Sequence, residues 1–160
     1  MWADTDVISL RTIALDDALA FPSERVILRG LPAKTVVSTC ILKAPPGSPA
    51  MELALRMCLA KDWTTVRWGE IGPKLVAEVV ETQGLHRFVL PPAAFCPVSY
   101  SEWRQLIDPH CPALPTEACA VHFWNEMWRL TAHDKDADYP ADCLYERLKR
   151  RHLRRTDTDT

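Results

Sequence analysis

Two carboxylates directly before an apolar run limit how this chain can fold more than any other feature. Asp4 and Asp6 are separated by one residue and followed by Val7, Ile8 and Leu10. Residues i and i+2 of an extended strand point to the same side, so the carboxylates can converge while the apolar run anchors them in a buried strand. Such oxygens suit a hard divalent cation, Mg²⁺ or Mn²⁺, which can in turn hold a diphosphate. An acidic turn at a strand end is the alternative.

The same Asp-x-Asp spacing occurs three more times, within segments 134–138 and 157–159. Those copies lie in polar stretches without an apolar strand, which predicts solvated loops or tails. The metal hypothesis therefore concerns Asp4 and Asp6.

Composition predicts one globular domain. The chain has 160 residues, 48% of them hydrophobic and 25% charged, which is ordinary for a soluble protein with a real core. The net charge of −2 argues against general nucleic-acid binding. No apolar run approaches the roughly 20 residues that span a bilayer, and no signal peptide pattern opens the chain, so we expect a cytoplasmic protein.

The six cysteines include no CxxC pair, which excludes the common zinc arrangements. Several lie in apolar runs, where a cysteine behaves as a small hydrophobe. Reduced core thiols are expected, and a disulfide framework is the alternative.

Residue patterns predict an α/β fold with strand 4–10 packed centrally. Proline and 3–4 apolar spacing predict helices at about 48–61, 72–83 and 142–154, the first of them largely buried. A short helix is expected at 101–107, and prolines make 108–116 a loop. Further strands are predicted at 26–28, 36–42, 88–90, 95–100 and 118–123.

Four ordered blocks resemble a glycosyltransferase family. MWADTDVISLRT (1–12) resembles the Asp-x-Asp segment of the glycosyltransferase family with a sugar-binding region that contains a DXD motif. This family includes the α-1,4-glycosyltransferases and initiating mannosyltransferases. ILKAPPGSP (41–49), WGEIGP (68–73) and AVHFWNEMWR (120–129) resemble its later blocks, in the same order. The resemblance runs to about residue 151. It implies a metal-dependent hexosyltransferase that moves a sugar from a nucleotide-diphosphate sugar to a glycan or glycolipid acceptor with retention, as in polysaccharide biosynthesis.

The resemblance also implies the fold, a GT-A (nucleotide-diphospho-sugar transferase) domain. Family members carry a nucleotide-binding half before the motif, so we expect a partial GT-A domain over residues 1–155, without that N-terminal half, and a disordered tail at 156–160. The alternative is a truncated, non-catalytic remnant or interaction module. An uncovered strand edge predicts self-association in either case.

The metal-site roles follow from the resemblance. Asp6 corresponds to the main metal ligand, and Asp4 to the donor-sugar contact or a water-mediated second ligand, with both counted as catalytic. The cofactor would be Mn²⁺ or Mg²⁺. His122 could complete the metal shell or bind a phosphate, and its alternative is a hydrogen-bonded core histidine.

Four more residues could contact sugars. Trp124 could stack on a sugar ring, although a tryptophan that fills a core, as expected for Trp128, is the alternative. Asn125 and Glu126 could bind acceptor hydroxyls or cap a helix. Glu70 lies in the block that resembles the family's acceptor or donor-sugar loop and is a catalytic candidate, with a favourable charge at a helix N-terminus as the alternative.

A basic cluster closes the last predicted helix, at residues 149–155. A solvated helix end is one interpretation. Contact with an anionic membrane surface is the other, at roughly 1 kcal/mol for each basic residue.

Overall fold

The computed structural model describes residues 1–153. Six short strands lie within this range: Trp2–Ala3 (β1), Val7–Ser9 (β2), Ser23–Val26 (β3), Lys34–Val37 (β4), Ile41–Leu42 (β5) and Ala120–His122 (β6). The α-helices lie at Pro49–Leu59 (α1), Pro73–Thr82 (α2), Pro92–Phe95 (α3), Asn125–Leu130 (α4) and Leu144–His152 (α5). Two 3₁₀ helices lie at His86–Phe88 and Tyr100–Ile107. This mixture confirms the α/β class.

The strands form three antiparallel pairs, β1 with β5, β2 with β6 and β3 with β4. The expectation of one central strand over 4–10 is wrong. The chain leaves β1 at Asp4, turns, and pairs again as β2 with a different strand; the N–H of Val7 donates to the carbonyl of Asp4 across this turn at 3.3 Å. Because β2 has β6 on one side, Val7 and Ile8 are half-buried.

The helices α1 and α2 confirm the proline-initiated pattern, since each has proline in its first turn. Four apolar residues of α2 are buried: Leu75, Val76, Val79 and Val80. The expectation that α1 is largely buried is wrong, because it packs one side against this cluster and leaves Leu55 and Leu59 exposed.

Several predicted strands are wrong or shorter. Segment 88–90 follows a 3₁₀ turn and makes one bridge, between Phe21 and Val89. Segment 95–100 contains the end of α3 and the start of the second 3₁₀ helix, because Pro92 favours a helical first turn and Pro97 lacks the N–H that a strand would donate. Segment 36–42 is divided between β4 and β5, and the strand expected at 26–28 lies earlier, as β3.

Two apolar clusters meet at β6. Ala120 packs with Cys40, Ile41, Phe95 and Cys96. Val121 belongs to the other cluster, whose buried members also include Val98, Leu106, Phe123, Leu144 and Leu148. Neighbouring strand residues point to opposite faces, so β6 separates the two clusters, and its last residue, His122, lies on the same face as Ala120.

The C-terminal predictions are tested only in part. Segment 108–116 is irregular, as expected, and α5 occupies most of the helix predicted at 142–154. Arg154, Arg155 and the predicted tail at 156–160 lie outside the described residues. Within the described range, each helix is too short or too polar to cross a bilayer.

Candidate functional site

The pairing of β2 with β6 brings Asp6 next to His122. The register places Val7 opposite His122, and the N–H of Phe123 donates to the carbonyl of Asp6 at 2.8 Å. The His122 Nε2 atom lies 3.3 Å from Asp6 Oδ1, and both side chains are nearly buried. The backbone N–H of Asn125 donates to Asp6 Oδ2 at 2.8 Å. Both carboxylate oxygens of Asp6 are therefore held in place.

Asp4 joins this pair from the other side of the turn. Its backbone N–H donates to the carbonyl of Cys40 at 2.8 Å, and its Oδ1 accepts a hydrogen bond from Trp2 Nε1 at 3.0 Å. Ligand atoms of Asp4, Asp6 and His122 all lie within 4.8 Å of one another. The carboxylates converge because of a turn, rather than because of the extended strand that the sequence suggested.

The electrostatics of the pair favour an ionised carboxylate beside an imidazolium. Burial raises the pKa of Asp6, but the hydrogen bonds from His122 and from the Asn125 N–H outweigh it, and the pKa lies below its usual value. Burial lowers the pKa of His122, but the neighbouring Asp6 carboxylate and Cys40 sulfur raise it to about 9. Without a metal ion, His122 therefore carries a proton at neutral pH.

Two cysteines also lie beside His122, and neither was predicted from the sequence to have a role at a site. Cys40 Sγ and Cys96 Sγ are 3.5 Å apart, and ligand atoms of Cys40, Cys96 and His122 lie within 4.8 Å of one another. The hydrogen bond from Cys96 lowers the pKa of Cys40 to about 6, against the effect of burial and with help from His122. No local spacing signals this cluster, because its members come from three separate segments.

A cleft of about 270 Å³ opens beside Asp6. Asp6 and Asn125 line one part of it, and Lys135 and Lys149 line another. The Lys135 Nζ donates to the side-chain oxygen of Asn125, and Lys149 pairs with Glu146 at 2.8 Å. Lys135 was not predicted from the sequence, because it lies in a polar loop without a recognisable motif. The cleft is therefore acidic at Asp6 and basic at the two lysines.

Trp124 turns the chain from β6 into α4. Its backbone is left-handed, with φ of 53°, an uncommon conformation for a residue other than glycine. The indole stacks on His122 with ring centroids 3.9 Å apart, and its Nε1 donates to the carbonyl of Val98 at 2.9 Å. This turn places the N–H of Asn125 within hydrogen-bonding distance of Asp6. It also packs one face of the Trp124 ring against His122.

The remaining predicted residues lie apart from the acidic cluster. Glu126 is exposed on α4 and pairs with Arg129. Glu70 lies in the turn before α2, where its Oε2 accepts a hydrogen bond from the N–H of Arg67 at 3.2 Å. Trp128 is buried, as expected for a core tryptophan. In the basic cluster, Arg151 donates to the carbonyl of Leu10, so part of this cluster holds α5 against β2.

Fold and site together define an α/β protein with a carboxylate–histidine cluster suited to a divalent cation. Residues 44–156 match the family model described as the alpha 1,4-glycosyltransferase conserved region. The chain therefore belongs to the alpha-1,4-glycosyltransferase family. The matched region includes His122, Trp124 and Glu70, whereas Asp4 and Asp6 precede it.

One curated relative supports this membership. The chain is 27% identical over 177 aligned residues to the human alpha-1,4-N-acetylglucosaminyltransferase. The alignment covers 99% of this chain and 47% of that enzyme, so the chain spans about half the length of this relative. No solved structure matches the chain.

Proposed function

We propose that this chain carries the metal-dependent donor site of a hexosyltransferase with a partial GT-A fold. The enzyme transfers a sugar from a nucleotide-diphosphate sugar to a glycan or glycolipid acceptor, with retention. The observation that carries the proposal is the convergence of Asp4, Asp6 and His122 within 4.8 Å, with Asp6 lining a cleft. Membership of the alpha-1,4-glycosyltransferase family supports the reaction class.

The three side chains suit Mn²⁺ or Mg²⁺. Carboxylate oxygens are the usual ligands of these hard cations, and Asp4 and Asp6 supply them. Asp6 would be the direct ligand, because it lines the cleft and its carboxylate lies beside His122. Asp4 would bind the ion or the donor sugar, and His122 would have to release its proton before its nitrogen could join them. When bound there, the cation would neutralise charge on the leaving diphosphate.

The remaining tasks would be divided between the lysines of the cleft and the other candidate residues. Lys135 and Lys149 place positive charge along the cleft that Asp6 lines, which favours an anionic donor. Trp124, Asn125 and Glu126 follow His122 in the chain and would contact the donor or acceptor sugar. Glu70 would reach an acceptor hydroxyl from the turn before α2.

Calorimetric titration of nucleoside diphosphates tests this function. UDP and GDP are titrated into the chain with Mn²⁺ and again with a chelator. The proposal predicts that at least one of them binds through its diphosphate, which needs the metal and not the nucleotide-binding half, and that the chelator abolishes its binding. If neither binds in the presence of Mn²⁺, or if binding is unchanged by the chelator, the metal-dependent donor site is refuted.

A second candidate is an interaction module without catalysis. The observation that favours it is a set of large exposed apolar side chains on and after α1: Leu55, Leu59, Trp63 and Trp68. Surfaces of this kind commonly bind other proteins. Self-association in the absence of metal-dependent nucleotide binding would favour this function over the enzyme.

A further inference from the structure

We propose that Cys40, Cys96 and His122 form a second, buried metal site that binds Zn²⁺. This site lies on the side of His122 away from the cleft and goes beyond the donor site described above. Zinc there would hold three segments together and would not contact the donor: Cys40 directly precedes β5, Cys96 caps the end of α3, and His122 ends β6.

The positions of the sulfur atoms suit tetrahedral zinc. Two thiolates bound to one zinc ion at about 2.3 Å are about 3.8 Å apart in a tetrahedral arrangement. The Cys40 and Cys96 sulfur atoms are 3.5 Å apart, and ligand atoms of these cysteines and His122 lie within 4.8 Å of one another. All three residues are buried, as the ligands of structural zinc sites usually are.

Two unpartnered polar atoms at this cluster point to a ligand there. His122 Nδ1 is buried without a hydrogen-bond partner among residues 1–153, although Nε2 faces Asp6. Glu24 Oε2 is also buried without a partner in that range, and burial raises the pKa of the Glu24 carboxyl. Buried polar groups are rarely left unpaired, because each costs about 1–3 kcal/mol. Zinc bound to Nδ1 would satisfy the histidine, and a water molecule would supply the fourth ligand.

The contact between His122 and Asp6 also fits this assignment. Histidines that bind zinc usually donate their other ring N–H to a carboxylate, which fixes the orientation of the ring. Here Nε2 faces Asp6 Oδ1 at 3.3 Å. Thiolate and imidazole ligands select Zn²⁺, whereas carboxylates select Mn²⁺ or Mg²⁺. The two sites therefore differ in the ion that they prefer. With zinc on Nδ1, His122 would contact the donor site through the hydrogen bond from its Nε2 N–H to Asp6.

Zinc binding to the full, reduced chain tests the proposal. The protein is stripped with a chelator, loaded with Zn²⁺, desalted and assayed for metal by mass spectrometry, without Mn²⁺ or nucleotide. One zinc ion per chain is expected. Cys96→Ser should lower zinc affinity by at least about 100-fold, because loss of an outer partner alone costs about 10- to 100-fold. Cys58→Ser, which changes a half-buried cysteine in another cluster, is the control and should bind zinc normally.

Asp6→Asn separates this proposal from the donor site. It should retain one zinc ion per chain. The zinc affinity should fall by no more than about tenfold, the low end for losing a residue that hydrogen-bonds to a metal ligand, because the amide oxygen can still accept a hydrogen bond from Nε2. The same variant should lose Mn²⁺-dependent nucleotide binding. The proposal is overturned if the wild-type chain retains no zinc, or if Cys96→Ser and Cys58→Ser bind it equally.

Cobalt gives a measurement that does not depend on a folded variant. Co²⁺ loaded into the stripped wild-type chain should show thiolate-to-cobalt charge-transfer absorption, and an equivalent of Zn²⁺ should abolish it. A cobalt spectrum without this absorption would contradict coordination by Cys40 and Cys96. Oxidation of the two thiols to a disulfide in the presence of excess zinc would contradict it as well.

Discussion

The Nε2 atom of His122 lies 3.3 Å from the Oδ1 atom of Asp6, although the two residues come from opposite parts of the chain. The antiparallel register of β2 and β6 creates this contact, and the N–H of Asn125 holds the second oxygen of the carboxylate. Asp6 and His122 therefore form a fixed pair. Asp4 lies beside this pair, and Cys40 and Cys96 lie beside its histidine.

The pH dependence of stability tests the strength of this pair. His122 has an ordinary pKa of 6.5 and a folded pKa of about 9, so the folded state binds its proton more tightly. The stabilisation is fully present below pH 6.5 and is lost as the pH rises through 9. Urea unfolding with a chelator should show that His122→Gln costs more free energy of unfolding at pH 6.5 than at pH 9. His86→Gln, at an exposed ion pair with Glu81, is the control and should have a small effect at both. A His122→Gln cost that grows with pH would contradict the account.

Two tryptophans in contrasting environments test the packing beneath the site. Trp128 is 1% exposed, and its Nε1 donates to the carbonyl of Phe123 at 2.7 Å. Trp128→Ala should lower the free energy of unfolding by about 3–5 kcal/mol. Trp68 is 87% exposed, so Trp68→Ala should change the free energy of unfolding by no more than about 0.5 kcal/mol. Chemical denaturation of both variants gives these values, and equal costs would show that the packing around Trp128 is incorrect.

Glu70 tests the separation of the acceptor role from the metal site. Glu70→Gln keeps an oxygen that can accept from the N–H of Arg67, so we expect a folded protein. Sugar transfer to the acceptor should fall by about 10²-fold or more if Glu70 assists the acceptor hydroxyl. Calorimetry should give unchanged Mn²⁺-dependent nucleotide binding, because Glu70 lies outside the cluster of Asp4, Asp6 and His122. Weaker binding of Mn²⁺ in this variant would contradict that division of roles.

The exposed face of α1 tests the expectation of self-association. Leu55 and Leu59 are one helical turn apart and are 60% and 65% exposed. The chain should associate at micromolar concentration, and the double variant Leu55→Ser, Leu59→Ser should shift it toward the monomer in size-exclusion chromatography. The neighbouring exposed Arg56→Ser is the control and should leave the profile unchanged. A monomeric wild-type chain would remove the prediction.

Local sequence signals were sufficient where one segment determines its own structure. Proline in the first turn and apolar residues at 3–4 spacing correctly predicted α1 and α2. They could not show how much of each helix is covered, because burial depends on the elements packed against it. The same limit explains the error at residues 4–10, where a turn sends the two halves of the segment to different partner strands.

The residues of the acidic cluster could be predicted because the resemblance to a glycosyltransferase family linked segments that are far apart in the sequence. Asp4, Asp6 and His122 were singled out from ordered motif blocks, and the structure brings their ligand atoms together. The neighbourhood of Cys40 and Cys96 was not predictable, since neither residue has a metal-binding motif around it. Nor does the sequence indicate that the ring of Trp124 is stacked on His122, because that contact depends on a left-handed backbone turn.

The most direct test of the central claim is the loss of Mn²⁺-dependent nucleotide binding in Asp6→Asn. This substitution keeps the size of the side chain and an oxygen that can accept from the N–H of Asn125, and it removes the charge that would hold the ion. Asp136→Asn, in another Asp-x-Asp pair that lies in an exposed loop, is the matched control. Calorimetry with the nucleoside diphosphate that wild type binds should show Mn²⁺-dependent binding in wild type and in Asp136→Asn. In Asp6→Asn the affinity should fall by at least about 100-fold, because a metal ligand is lost rather than a residue that only hydrogen-bonds to a ligand. Equal Mn²⁺-dependent binding in all three proteins would contradict the assignment of the metal to Asp6.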